Sequence, residues 1–449
     1  VHEPGTTSTT SLRVIFSGRR GRLLAALLLA EFAGAVQGIA YATVLPLAAQ
    51  ELDGAALYGA TLSAGLLTGV VVLAAGPGVT ARLPPRQNLA LATGLFVAGV
   101  VLSACAPAMG WLLAGGILRG IAGGLLAAFG LSAIGGLFED DVRPRVLSLF
   151  TLVWLLPSLA GPPVNAAITV WLGWRWAMAW PVLVVIAARL LMSRDTGLIP
   201  APSEEKETSL GTGLLVAAGL ALASAATTRG GWGIPLLVAG LLLAVVAGTR
   251  VMVRATADSR RRTTVVLAYA CLAAAFFGGD GLIPLAIVEG LGRGVVASAV
   301  GLGAGLVAWS ITGLLPATAG RRPDPAKVGT VLVVAALLTE AFAQTGLVGS
   351  TPALVLAVAA WGVAGFGIGI AYVQLSAQAF DSLAPERVAA VAGAVAFAET
   401  ASVVVGSLLG AGSYSLATGL HVGASTGISV GFLLVAAVGA VGAVLAARR

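Results

Sequence analysis

Residues 111–137 read WLLAGGILRGIAGGLLAAFGLSAIGGL, 27 consecutive positions whose one charge is Arg119. A helix rising about 1.5 Å per residue needs roughly 20 apolar residues to cross the hydrocarbon. In lipid each backbone group must bond inside its own helix. The stretch therefore predicts a membrane-spanning helix. The whole chain is of the same kind: of its 449 residues 58% are hydrophobic and 10% charged, with a mean hydropathy of +0.98. A soluble domain carries about 25% charged residues, so an ordinary water-soluble enzyme is excluded. The net charge of +7 does not indicate a nucleic-acid partner, because Lys and Arg are spread between apolar runs instead of gathered on one face. Cys105 and Cys271 lie in apolar stretches without the spacing of a zinc site, a redox pair or a disulfide framework.

Scanning outward predicts about fourteen spans, near 24–47, 57–75, 88–106, 111–137, 146–172, 176–192, 210–226, 232–249, 265–288, 295–315, 328–347, 352–380, 388–417 and 428–446. With the N-terminus inside, 22 of the 26 Lys and Arg residues fall on the inner side, Arg175, Arg229 and Arg293 on the outer, and Arg119 within a span. The positive-inside rule then places both termini in the cytoplasm. The run after Arg13, Arg19, Arg20 and Arg22 lacks a small-residue cleavage pattern and reads as a retained helix. The seventh and eighth spans are the weakest, and twelve helices without them would keep the same parity.

The chain also repeats itself. Leu45-Pro46-Leu47 with Glu51 returns as Ile283-Pro284-Leu285 with Glu289, and Arg119-Gly120-Ile121-Ala122-Gly123 aligns with Trp361-Gly362-Val363-Ala364-Gly365. Phe138, Glu139, Arg145 and Val146 align with Phe380, Asp381, Arg387 and Val388. The expected architecture is an all-α integral membrane protein of two six-helix bundles related by pseudo-two-fold symmetry, with two extra helices between them. The parts are a tail over 1–22, a first bundle over 23–192, a linker with the two extra helices over 193–262, and a second bundle over 263–449. Such a plan, with a site between halves near the midplane, is that of a rocking secondary transporter.

In these features the chain resembles the major facilitator superfamily. Arg119-Gly-Ile-Ala-Gly is similar to that family's fourth-helix Arg motif, and Gly161-Pro162-Pro163 to its antiporter Gly-Pro pattern. Gly173-Trp174-Arg175-Trp176 follows as in drug-efflux members. With fourteen spans, the nearest branch is the fourteen-helix drug:proton antiporters. The chain departs from the family loop Gly-x-x-x-Asp-Arg-x-Gly, since Arg82 is preceded by Ala81, and Asn165-Ala166 stand where the antiporter motif has paired glycines.

An ionisable side chain at mid-bilayer costs about 2.5–3.5 kcal/mol on insertion scales and faces a cavity or a partner. Glu31, Arg119, Asp280, Glu340 and Glu399 are such residues. The resemblance implies that the first, fourth, ninth and twelfth spans line the cavity, which selects Glu31, Arg119 and Asp280 for proton coupling, with Glu399 beside them and Glu340 packed outside. Carboxylates would carry the proton and Arg119 would modulate one of them. Gln37, Tyr41, Trp154, Phe276, Trp361, Tyr372 and Gln374 are the candidate cargo contacts, and Phe277, Trp309 and Phe397 lie at similar depth. On the first helix Glu31, Gly34 and Gly38 share a face expected to approach a neighbour, and Gln37 and Tyr41 share one expected to meet cargo. Pro157, Gly161, Pro162 and Arg82 are the gating candidates.

An aromatic cavity with a few acids suits lipophilic or cationic cargo. The expected function is proton-coupled export of such molecules by alternating access, from a monomer in the cell's inner membrane that binds protons and needs no cofactor, metal or nucleic acid. The alternative is an importer or lipid transporter of the same fold without proton antiport. No residue constellation supports an enzyme, and no ring of like residues supports a channel. The glycine-rich runs lack the strand and Gly-Lys-Ser/Thr ending of a phosphate loop and read as helix-packing surfaces.

Overall fold

The computed structural model describes residues 16–53, 58–75, 83–138, 142–153, 155–198, 210–226, 233–312 and 324–448. Among them there is no strand. The first half holds α1 (Gly18–Glu51), α2 (Tyr58–Ala74), α3 (Pro85–Ala104), α4 (Met109–Leu137), α5 (Arg143–Val153), α6 (Leu155–Leu172), α7 (Trp174–Ala179) and α8 (Pro181–Ser193). Two helices follow, α9 (Leu210–Ala226) and α10 (Gly233–Ala255). The second half holds α11 (Arg260–Leu285), α12 (Val295–Thr312), α13 (Pro325–Ala343), α14 (Ser350–Ala379), α15 (Val388–Gly419) and α16 (Ala424–Arg448). Among the described residues, ten stretches are long and apolar enough to cross a membrane, and shorter apolar helices cover Ser63–Ala74, Gly211–Ala226 and Val300–Thr312.

Local signals set several boundaries. Ser259 caps α11 by accepting from the Arg262 amide at 3.2 Å, and Asp324 caps α13 through the Ala326 amide at 3.1 Å with Pro325 as the first helical residue. Gly173 takes a φ of 89°, a conformation that favours glycine, where α6 ends and α7 begins. Pro284 removes a backbone donor near the end of α11, and the chain continues as a π-turn over Ala286–Gly290.

The two halves repeat one packing scheme. In the first, α4 packs on α2 and α3, and α1 on α6 and α8; in the second, α14 packs on α12 and α13, and α11 on α15 and α16. The closest crossings are made by glycine. A Cβ on Gly120 would strike the Gly65 carbonyl, and one on Gly365 would strike that of Gly305, so α2–α4 and α12–α14 each meet backbone to backbone. Gly278 meets Gly406 at 2.6 Å from Cβ position to carbonyl in the same manner between α11 and α15. The halves touch through α15 against α2 and α4, and through α12 and α14 against α5. The helix pair α9–α10 joins through the mutual approach of Gly219 and Gly240, with α9 on α2 and α10 on α15.

Polar clamps mark both ends. On the side of the α1 N-terminus, Asp195 accepts from Arg19 Nε at 3.1 Å and Arg22 Nε at 3.3 Å, tying the end of α8 to the start of α1. Burial pushes the Asp195 carboxyl up, but the two guanidinium groups outweigh it and hold it below its usual 3.8. On the same side Asp258 pairs with Arg262 and Arg387, and Arg262 Nε donates to the Ala379 carbonyl at 3.0 Å, fastening α10 to the second half. At the opposite end Glu51 accepts from Trp174 Nε1 and Arg175 Nη1, both at 2.6 Å, and these bonds lower its pKa.

Candidate cargo and proton site

A cavity of about 560 Å³ lies between the halves, within the range of small-molecule sites. Its first-half lining comes from Leu27, Ala30, Glu31 and Gly34 on α1, Phe96 on α3, six residues of α4 from Gly123, Leu126 and Ala127 through Phe129 and Gly130 to Ile134, Leu147 and Phe150 on α5, and Val185, Arg189 and Met192 on α8. Tyr269 and Phe277 on α11, Leu306, Trp309 and Ser310 on α12, Tyr372, Val373 and Ser376 on α14, and Ala396, Glu399, Thr400 and Val403 on α15 complete it. In α1 these residues lie near the N-terminus, and in α4, α8 and α14 near the C-terminus. The cavity thus occupies the half of the bundle on the side of the clamp at Asp195.

Two carboxylates face it. Glu399 is held by the Tyr269 hydroxyl, which donates to Oε2 at 3.0 Å. The Tyr269 and Tyr372 rings stand 4.7 Å apart. From Tyr372 the aromatic surface continues to Trp309 at 5.7 Å and on to Phe277 at 5.9 Å. Phe276 and Trp361 back this surface, stacked at 4.9 Å and nearly parallel. Glu31 enters from the other half, on α1, which packs against the α8 that carries Arg189. A half-buried carboxylate that accepts from a phenol has a partner when ionised, and when protonated it can itself donate.

The predicted residues are distributed as follows. Glu31, Glu399 and Tyr372 line the cavity. Phe276 and Trp361 are buried behind it. Gln37 and Tyr41 turn to neighbouring helices: Gln37 Nε2 donates to the Met178 carbonyl at 3.4 Å, and the Tyr41 ring lies 3.8 Å beneath the Arg119 guanidinium carbon. Gly34 and Gly38 have open space where a Cβ would stand, so that face of α1 approaches no neighbour there. The two faces of α1 are therefore used in the reverse of the expected manner, because a small-residue face also makes room for a cavity.

Arg119 also donates to its own helix at the Gly115 carbonyl, 3.3 Å away, and among the described residues no carboxylate is paired with it. Asp280 and Gln374 lie outside the cavity lining. Glu340 is fully buried on α13, with neither carboxylate oxygen hydrogen-bonded. Pro157 is buried and Gly161 half-buried in α6, which runs without a break through 161–163. Trp154, Arg82 and the Pro162 side chain lie outside the described residues.

Three polar residues are not among the site candidates that the sequence offers. Tyr269 is one aromatic among many. Arg189 counts as a loop charge by its closeness to a span end. Asn165, noted as a departure from the glycine pattern, donates from Nδ2 to the Ala40 carbonyl on α1 at 3.1 Å and accepts from Trp180 Nε1 at 3.4 Å. A lone amide inside an apolar helix was its visible signal.

A fold of two helical halves around a central cavity defines a secondary transporter. The chain belongs to the Major Facilitator Superfamily, whose family model matches residues 23–407. It is 27% identical over 435 residues to a probable multidrug-efflux transporter of Mycobacterium tuberculosis, covering 91% of this chain and 90% of that protein. A multidrug transporter protein of Bacillus subtilis is 26% identical over 176 residues, 39% of this chain and 32% of that one. Among solved structures, a human organic anion transporter aligns with a TM-score of 0.66 at 18% identity, over 94% of this chain and 100% of that one. A bacterial homologue of the iron transporter ferroportin aligns with a TM-score of 0.68 at 12% identity, over 95% and 98%. The chain is thus a multi-pass membrane transporter and not an enzyme.

Proposed function

We propose that this protein exports small lipophilic or cationic molecules in exchange for protons, with Glu31 and Glu399 as the exchanging acids. The observation that carries this reading is the placement of both carboxylates on one cavity together with an aromatic surface that suits a lipophilic cation. Its relatives named as multidrug-efflux transporters support the same cargo class. A cation entering beside Glu399 favours loss of that group's proton, and a proton arriving there weakens the hold on the cation, so the two compete for one site. Arg119 and Asp280 act from outside the cavity, Arg119 by bracing α1 through Tyr41. The fourteen-span count, with α9 and α10 as an added pair, cytoplasmic termini and a monomeric state in the inner membrane belong to the same proposal. The cavity then opens toward the cytoplasm, as loading of an exporter requires.

Proteoliposomes with an imposed pH gradient test it. Adding a lipophilic phosphonium should release protons from wild type, and Glu399→Gln or Glu31→Gln should abolish the release. Movement of the cation that ignores the gradient and both substitutions would overturn the coupling and favour the uncoupled alternative.

A further inference from the structure

We propose that the cavity selects amphoteric aromatic molecules, with Arg189 receiving the anionic group of the cargo while Glu399 receives its cationic one. The inference rests on the reading of the cavity as the cargo site. Three charged groups line it among the described residues: Glu31, Arg189 and Glu399. A guanidinium offers five donors in a planar fork that matches a carboxylate. Those of Arg189 are incompletely used, since Nε is buried without a hydrogen-bond partner and Nη1 contacts the Met192 sulfur, a weak acceptor, at 3.7 Å. The position is well defined, because Val185 and Met192 on the same helix also line the cavity and Met192 is fully buried.

Across the cavity the Tyr269–Tyr372 pair, Phe277 and Trp309 surround the Glu399 side with ring surface suited to a cation. A plain lipophilic cation uses that side and is repelled by Arg189. A plain anion uses Arg189 and is repelled by Glu31 and Glu399. A molecule bearing both groups on one aromatic frame meets a complementary charge at each end, which is how a cavity with mixed charge discriminates. Glu31 is the competitor in this arrangement, since it lines the same cavity from α1, the helix packed against the α8 of Arg189.

The test is equilibrium binding to the full-length protein in nanodiscs at one pH and without a gradient. Three probes built on one aromatic scaffold are compared: an amine, a carboxylic acid and the zwitterion bearing both. Wild type should bind the zwitterion tightest. Arg189→Gln should weaken the zwitterion about tenfold while leaving the amine as tight or tighter, and Arg189→Lys should recover part of the loss. Glu31→Gln should tighten the zwitterion. Amine binding reports that each Arg189 variant is folded. The assignment is overturned if Arg189→Gln leaves zwitterion affinity within about twofold of wild type, if it weakens all three probes alike, or if Glu31→Gln weakens the zwitterion as Arg189→Gln does. Because no gradient is imposed, failed proton exchange leaves this result standing. Absence of binding by all three probes to wild type would overturn the cargo cavity together with it.

Discussion

Arg119 and Trp361 occupy the same point of the internal repeat, 242 residues apart, and each closes the gap between the fourth and first helices of its own half. Arg119 places its guanidinium carbon 3.8 Å above the Tyr41 ring, whereas Trp361 stacks on Phe276 with centroids 4.9 Å apart. One socket is filled by two chemistries. The second half shows that an apolar side chain suffices for packing, so Arg119→Met should fold and lose on the order of 1–2 kcal/mol, the size of a desolvated cation–π contact. Trp361→Ala, which empties a fully buried position, should lose about 3–5 kcal/mol. Thermal melts of the purified variants compare the two; an equal loss would contradict the assignment.

The glycines of one run should differ sharply. A methyl at Gly365 meets the Gly305 backbone, while a Cβ at Gly362 meets nothing within 4 Å. Gly365→Ala should destabilise by about 1–3 kcal/mol through overpacking. Gly362→Ala should be neutral or stabilising by up to about 1 kcal/mol, from helix propensity. Monodispersity and melting temperature in detergent read both.

Asn165→Ala leaves the Trp180 indole without its acceptor and removes the side-chain bridge to α1. The expected loss is about 1–2 kcal/mol, that of two hydrogen bonds, since Trp180 is only half-buried. Since the bridge joins α6 to α1, protease accessibility of those two helices should rise along with the lower melting temperature.

The clamp at Asp195 should titrate. Its carboxyl is held below its usual 3.8, so its contribution is complete above the unfolded-state value and is lost as pH falls through the folded one. Both arginines are well exposed, at 61% and 58%, which keeps the contribution to roughly 0.5–1 kcal/mol. Asp195→Asn should therefore melt slightly below wild type at pH 7, and the difference should shrink as pH falls below 3.8. A difference that persists in acid would show a role other than charge.

Tyr269→Phe removes the donor on Glu399 Oε2 and keeps the ring. Because one hydrogen bond is removed while the ring and the carboxylate stay in place, the loss should be partial, about threefold to tenfold in affinity for a lipophilic phosphonium by equilibrium binding, with stability little changed. An unchanged affinity would separate that carboxylate from cargo.

The amino-acid sequence by itself determined the helices and their repetition, because length and apolarity decide whether a segment can satisfy its backbone in lipid, and neither depends on neighbours. Proline and glycine placed the breaks at Gly173 and after Pro284 for the same local reason. Which side chains meet in the cavity was decided by tertiary structure alone. Phe276 and Phe277 are adjacent in the chain, yet a turn of about 100° per residue puts one behind the cavity lining and the other on it. Trp361 and Tyr372 lie about three turns apart on one face of α14, and depth separates packing from lining. Arg189 reads as a loop charge until α8 is seen to turn it inward toward Glu31. In a bilayer nearly every face of a helix is apolar, so hydropathy carries little information about which face meets protein; helix rotation is set by close packing of glycine and by hydrogen bonds such as that of Asn165, which exist only once the helices are assembled.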